Sequence, residues 1–167
     1  MTPTSPLGSI ARDGAFTWLM FERRYDAPIE EVWSALTDSD RTTRWIGSWS
    51  GDPATGTIAF VMSAEGMVDP VDVAILRCDP PRRLVVDTPG PEGVWHLDVS
   101  LTESDGGTLL RFRHRLDEGH NAGDIGPGWH YYVDRLSSVI AGENAIAPWD
   151  NYYPSLKEPH ASQMPSA

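Results

Sequence analysis

Five histidines, one cysteine and a dense run of aromatic rings are the groups in this 167-residue sequence that could do more than pack. A histidine titrates near neutral pH, so it can move a proton or orient a polar guest. His114, in "GTLLRFRHRL", lies on the apolar phase of its segment, and there it reads as either a satisfied core imidazole or the polar group of an apolar cavity. The stretch "GPGWHYYVDRL", residues 126–136, breaks the chain with two glycines and a proline, then delivers Trp129, His130, Tyr131 and Tyr132. Such a surface faces a filled core or a hollow that holds a guest. Cys78 precedes "DPP" without an activating neighbour and reads as a small packed residue. There is no CxxC pair, no HExxH and no HxH, so no metal is expected. Neither GxSxG nor a glycine-rich phosphate loop occurs, and "GSWSG" follows a short helix rather than leading a strand into one. No cofactor is expected.

These side chains need elements to hold them. "ESDGG", residues 103–107, separates two alternating runs and predicts a hairpin. Folding about it sets Leu101 against Thr108, Val99 against Leu110, Leu97 against Phe112 and Trp95 against His114, all on one face. The other face pairs Asp98 with Arg111 and His96 with Arg113, as a solvated surface would, which makes a His96–Asp98 catalytic pair a poor reading.

Upstream, "AFTWLMFERRY" predicts a first strand, ended by "DAP". Ile29, Val32, Trp33 and Leu36 recur at helical spacing after Pro28, with Glu30 and Glu31 in the first turn, and "TDSDRTTRWIG" predicts a second short helix ending near Gly47. "GTIAFVM", "VDVAIL", "RRLVVD", "GVWHLDVSL" and "GTLLRFRHRL" then form an antiparallel meander. A long helix from Pro127 to about Asn144 closes the order, with Trp129, Val133, Leu136 and Ile140 in one stripe. Strands followed by a helix imply an α+β domain over residues 14–146. Residues 1–13 are expected to be a flexible arm, and 147–167 a tail, packed at first and then disordered.

Thirteen basic against 24 acidic residues give a net charge of −11, a surface that repels nucleic acid and anionic lipid. No apolar run reaches the roughly 20 residues that cross a bilayer, and no secretory h-region opens the chain, so a soluble cytoplasmic protein without membrane insertion is expected.

"RRYDAPIEEVWSALTDSDRTTRWIG", "CDPPRRLVV", "VWHLDVSLTESDGGTLLRFRHRL" and "GWHYYVDRL" together resemble the SRPBCC, or START-like, superfamily. The likeness is strongest to the branch similar to the activator of the heat-shock-protein-90 ATPase, and it runs from about Phe16 to Leu136. It implies the helix-grip (birch-allergen-like) fold: a curved antiparallel sheet around a long C-terminal helix, with two short helices after strand one. It also implies an apolar cavity between sheet and helix, filled in relatives by lipids, polyketides or other hydrophobic molecules. On that fold the expected ligand-binding set is Trp45, Trp49, Phe60, Met62, Trp95, Leu97, Phe112, His114, Trp129, Tyr132, Val133 and Leu136. Trp45 and Trp49 would form a movable lip, while His130 and Tyr131 point away from the stripe. Arg23 shares a strand face with Phe21 and Tyr25 and would lean out or meet Asp87 or Glu65.

Three functions fit. The first is binding or sequestration of a hydrophobic, aromatic small molecule, as in self-resistance relatives. The second is a polyketide cyclase or dehydratase using His114 as acid or base, and the third is a chaperone accessory. The aromatics of "WHYY" and "NYYP" would support either a homodimer or a folded-back tail.

Overall fold

The computed structural model describes residues 3, 5–143 and 148–164. Its elements run β1 (Ser9–Asp13), β2 (Phe16–Tyr25), α1 (Ile29–Thr37), α2 (Ser39–Thr42), β3 (Ser48–Ser50), β4 (Thr57–Val61), β5 (Val71–Asp79), β6 (Arg83–Gly90), β7 (Gly93–Ser104), β8 (Gly107–Arg115), α3 (Ala122–Ala141) and α4 (Lys157–Ala161). The strands make one antiparallel sheet in the order β1-β2-β8-β7-β6-β5-β4-β3. α1 and α2 follow the strand read as the first, and the long helix packs on the concave side. This is the expected α+β helix-grip architecture.

Alternation and register settle which side chains look inward. Leu19, Phe21, Arg23 and Tyr25 of β2 pair with His114, Phe112, Leu110 and Thr108 of β8. Leu97, Val99 and Leu101 of β7 continue the row, paired with His114, Phe112 and Leu110. Ile125, Trp129, Tyr132, Val133 and Leu136 of α3 close on them, and all these apolar residues belong to one core cluster. Burying a large apolar side chain contributes about 1.5–3 kcal/mol, so this seam dominates stability.

Several expectations need correction. The hairpin loop is only Asp105–Gly106, both at positive φ (49° and 79°), the geometry of a tight type I′ turn. The expected register is therefore displaced by two residues: Leu97, not Trp95, faces His114. An even displacement keeps every side chain on its face, so the inward set survives. On the convex face Asp98 pairs with Arg113, and it is not superficial: it is 4% exposed, gripped by Arg83 (Nη2–Oδ2 2.9 Å, Nε–Oδ1 3.2 Å) and Arg113 (Nη2–Oδ2 2.5 Å). His96 is half-buried and bonds Asp87 at 2.6 Å.

The N-terminal segment is no arm over its whole length, because β1 pairs with β2 from Ser9↔Met20 to Asp13↔Phe16. α3 begins five residues before Pro127. Asn121 caps it by accepting the Gly123 N–H (2.7 Å), and Gly142 ends it in a left-handed turn (φ 74°). After the undescribed residues 144–147 the tail folds back. Tyr152, Leu156 and His160 are buried, and α4 packs on α3. His130, expected to point outward, is fully buried under that tail. The tail is folded back on these aromatics: Tyr131 lies edge-on to Trp149 and Tyr152, with ring centroids 5.3 and 5.2 Å away. The end of the expected tail, residues 165–167, lies outside the described residues.

Candidate functional site

The concave face of the sheet is closed unevenly. Over β2, β8 and β7 the inward residues Leu19, Phe21, Leu110, Phe112 and Leu97 are buried beneath α3. Over β3 to β6 and the start of β7 the inward residues Trp49, Ile58, Phe60, Ile75, Val86 and Trp95 are only half-buried, while Val73 of β5 is buried among them. Phe60, Met62, Val86 and Trp95 nevertheless pack on the core cluster. A strip of apolar and aromatic side chains thus meets solvent on the hollow side of the sheet, beside a helix that carries Trp129 and Tyr132.

At one end of the strip His114 is enclosed, 0% exposed, among aromatic rings. Trp95 lies 4.8 Å away, His120 5.2 Å and Trp129 6.3 Å, centroid to centroid, and Trp129 in turn packs on Phe112 at 4.5 Å. The Trp129 indole N–H donates to His114 Nδ1 (2.9 Å), so the imidazole proton sits on Nε2 and points at His120 Nδ1 (3.3 Å). Burial, with the neighbouring His120 behind it, pushes the His114 pKa down to about 3. Both nitrogens are engaged and the ring stays neutral near pH 7. That is a structural imidazole, and its geometry does not favour the acid–base role.

The rim is pinned by hydrogen bonds. Tyr132 Oη donates to Glu65 Oε1 (2.9 Å), spanning from α3 to the segment between β4 and β5. Trp95 Nε1 donates to Glu92 Oε2 (3.2 Å). Arg135 reaches the Trp45 carbonyl (2.7 Å) and the Arg44 carbonyl (3.3 Å), tying α3 to the turn after α2. The indoles of Trp45 and Trp49 donate to the Ala35 and Thr37 carbonyls (2.9 and 2.8 Å), using carbonyls that the end of α1 leaves free. Trp45 is in the core and Trp49 is half-buried. Both indoles are thus anchored to the end of α1.

Of the expected set, Leu97, Phe112, His114, Trp129, Val133 and Leu136 form the closed seam, with Trp45 and Tyr132 buried at its margin; Trp49, Phe60, Met62 and Trp95 border the open strip. Sequence reasoning missed Glu92, Val86 and His120, none of which carries a motif, and it set Glu65 beside Arg23 rather than beside Tyr132. Arg23 meets neither Asp87 nor Glu65. It is buried, donates to the Pro6 carbonyl (2.8 Å) and faces Asp134 of α3 at 3.7 Å. Among the described residues no group of three or more His, Cys, Asp or Glu could hold a metal ion, and no helix is long and apolar enough to cross a membrane.

Residues 26–141 match the model of the family described as Activator of Hsp90 ATPase homolog 1-like protein. Among solved structures, the crystal structure of CalU16 from Micromonospora echinospora is similar at 28% identity, over 93% of this chain and 94% of CalU16, with a TM-score of 0.72. DynU16, described as a protein in the dynemicin biosynthetic locus, is similar at 23% identity over 82% of this chain and 50% of DynU16 (TM-score 0.64). A conserved protein of unknown function from Enterococcus faecalis shares the fold at 20% identity over 93% of this chain and 89% of its own (TM-score 0.71). No curated protein matches the chain.

Proposed function

The chain belongs to the Activator of Hsp90 ATPase homolog 1-like family of the SRPBCC superfamily, and from that premise we propose that it binds a hydrophobic, aromatic small molecule on the concave face between β3–β6 and α3. The uneven closure carries this reading. A helix-grip domain built only for stability would gain by burying Phe60, Val86 and Trp95, each left half-exposed on the hollow side. Aromatic walls there favour a flat guest, since offset or edge-on ring pairs add about 0.5–1.5 kcal/mol beyond their buried area. Binding also accounts for His114 better than acid–base catalysis does, because an imidazole locked between Trp129 and His120 stiffens a wall without exchanging protons with a guest.

The test uses the aromatic dye 1-anilinonaphthalene-8-sulfonate and native mass spectrometry of the purified chain. We expect saturable binding of one dye per chain, weakened about tenfold or more, or roughly 1.4 kcal/mol, by Val86→Trp, whose larger side chain fills the strip. Dye that fails to saturate, or that binds Val86→Trp as well as the parent, removes the proposal.

A further inference from the structure

Residues 148–164 lie beyond the family match, which ends at 141, yet they bury Tyr152, Leu156 and His160 against the back of α3. The seat is built for them. A Cβ on Gly126 would stand 2.5 Å from the His160 ring, and one on Gly123 would stand 2.8 Å from Ala161 Cβ. The N-terminal segment joins the same joint. Tyr152 Oη and Ser5 Oγ both donate to Asp134 Oδ2 (2.7 and 2.8 Å), which leaves Ser5 Oγ to accept the His130 Nε2–H at 2.7 Å. His130 Nδ1 is then bare, buried and without a partner among the described residues. His160 Nδ1–H donates to the Leu156 carbonyl (3.0 Å), so its Nε2 accepts the Gly8 N–H (3.3 Å).

We propose that the tail is an acid-released strap, buckled by neutral His130 and His160, which leaves the back of α3 together with residues 5–8 when the two imidazoles take up protons. The chemistry is specific to each ring. A proton on His160 Nε2 would set a donor against the Gly8 N–H and break that contact. A proton on His130 Nδ1 would create a buried N–H with no acceptor. The rings sit 5.7 Å apart, each within 6 Å of Phe21, so two charged imidazoles would also repel.

The charged and titratable groups around them are Asp134 on α3, Arg23 on β2, and Tyr152 on the tail. Burial comes first in lowering His130 to about 4. Asp134 opposes it, while Arg23 and His160 assist. Burial likewise lowers His160, against its Leu156 bond. Both folded values lie below the ordinary histidine value of about 6.5, so the strap holds fully above that pH and weakens as pH falls from there toward 4. Two protons taken up on release steepen the opening equilibrium to a limit of about 100-fold per pH unit.

Hydrogen–deuterium exchange of the full chain at pH 7.5 and 5.0, corrected for the intrinsic rate, tests this. Peptides covering 148–164, and the amide of Gly8, should lose at least tenfold protection at pH 5.0, while β7 and β8 remain protected. His160→Gln, which can still accept from Gly8 but cannot protonate, should keep tail protection at pH 7.5 and lower the pH slope by one proton. Tail protection unchanged between the two pH values, tail and sheet failing together, or an undiminished slope in His160→Gln would each overturn the strap.

Discussion

Trp129→Ala should lower stability by about 3–5 kcal/mol, the range for emptying a buried tryptophan site. Trp129 is 9% exposed and touches Phe112, Trp95 and Tyr132 across 4.5–6.2 Å between ring centroids. Its loss opens a void in the middle of the closed seam and also strips His114 Nδ1 of the indole N–H that donates to it. A domain of this size shifts its Tm by about 2–4 °C per kcal/mol, so the drop is readily measured. Trp129→Phe separates the two causes. It keeps much of the apolar volume and removes the N–H, so a loss of about 1–3 kcal/mol, the cost of an unsatisfied buried acceptor, should remain. Urea unfolding that finds Trp129→Phe as stable as the parent would show that the indole–imidazole bond contributes nothing.

The second large effect lies on the opposite face of the sheet. Asp98→Ala leaves Arg83 and Arg113 beside one another without their shared carboxylate. Breaking a buried pair costs about 3–5 kcal/mol, and about 3 is expected because Arg83 keeps 37% of its side chain in water. Burial alone would raise the Asp98 pKa, but the bonds from Arg83 and Arg113 outweigh it and hold the carboxyl below its ordinary range. Its contribution is therefore complete above the unfolded value of about 3.9 and is lost as pH falls through the lower folded value. Asp98→Ala should accordingly lose its deficit relative to the parent in strong acid; a deficit independent of pH would assign the effect to packing instead.

Much of the architecture was legible because hydrophobic period and turn chemistry agree. The five strands of the meander, the two short helices and the α3 stripe all carry strong local signals. β1 does not: "SIARD" has no sustained alternation, and only the β2 edge makes it a strand. The start of α3 was hidden by "AGDIGPG", whose glycines read as a break. Gly123 and Gly126 lie in the helix where α4 packs against them, which is tertiary packing overriding propensity. The inward placement of His114 followed from strand parity, and parity survived an error of two in register. Its partners did not follow, since Trp129 and His120 reach it from outside its strand. His130 was misjudged for the same reason: helical spacing describes one face of a helix and is silent about a segment that returns to cover the other.

The sheet never closes on itself, so β1 and β3 both present a free side. They hold five and three residues, whereas the strands they shelter run to twelve. A passing extended chain would find few backbone partners in line, and Arg12 and Asp13 place charge on one of those borders. Short outer strands of this kind guard against fibril-like stacking, which lets the molecule keep apolar rings near water without growing into aggregates.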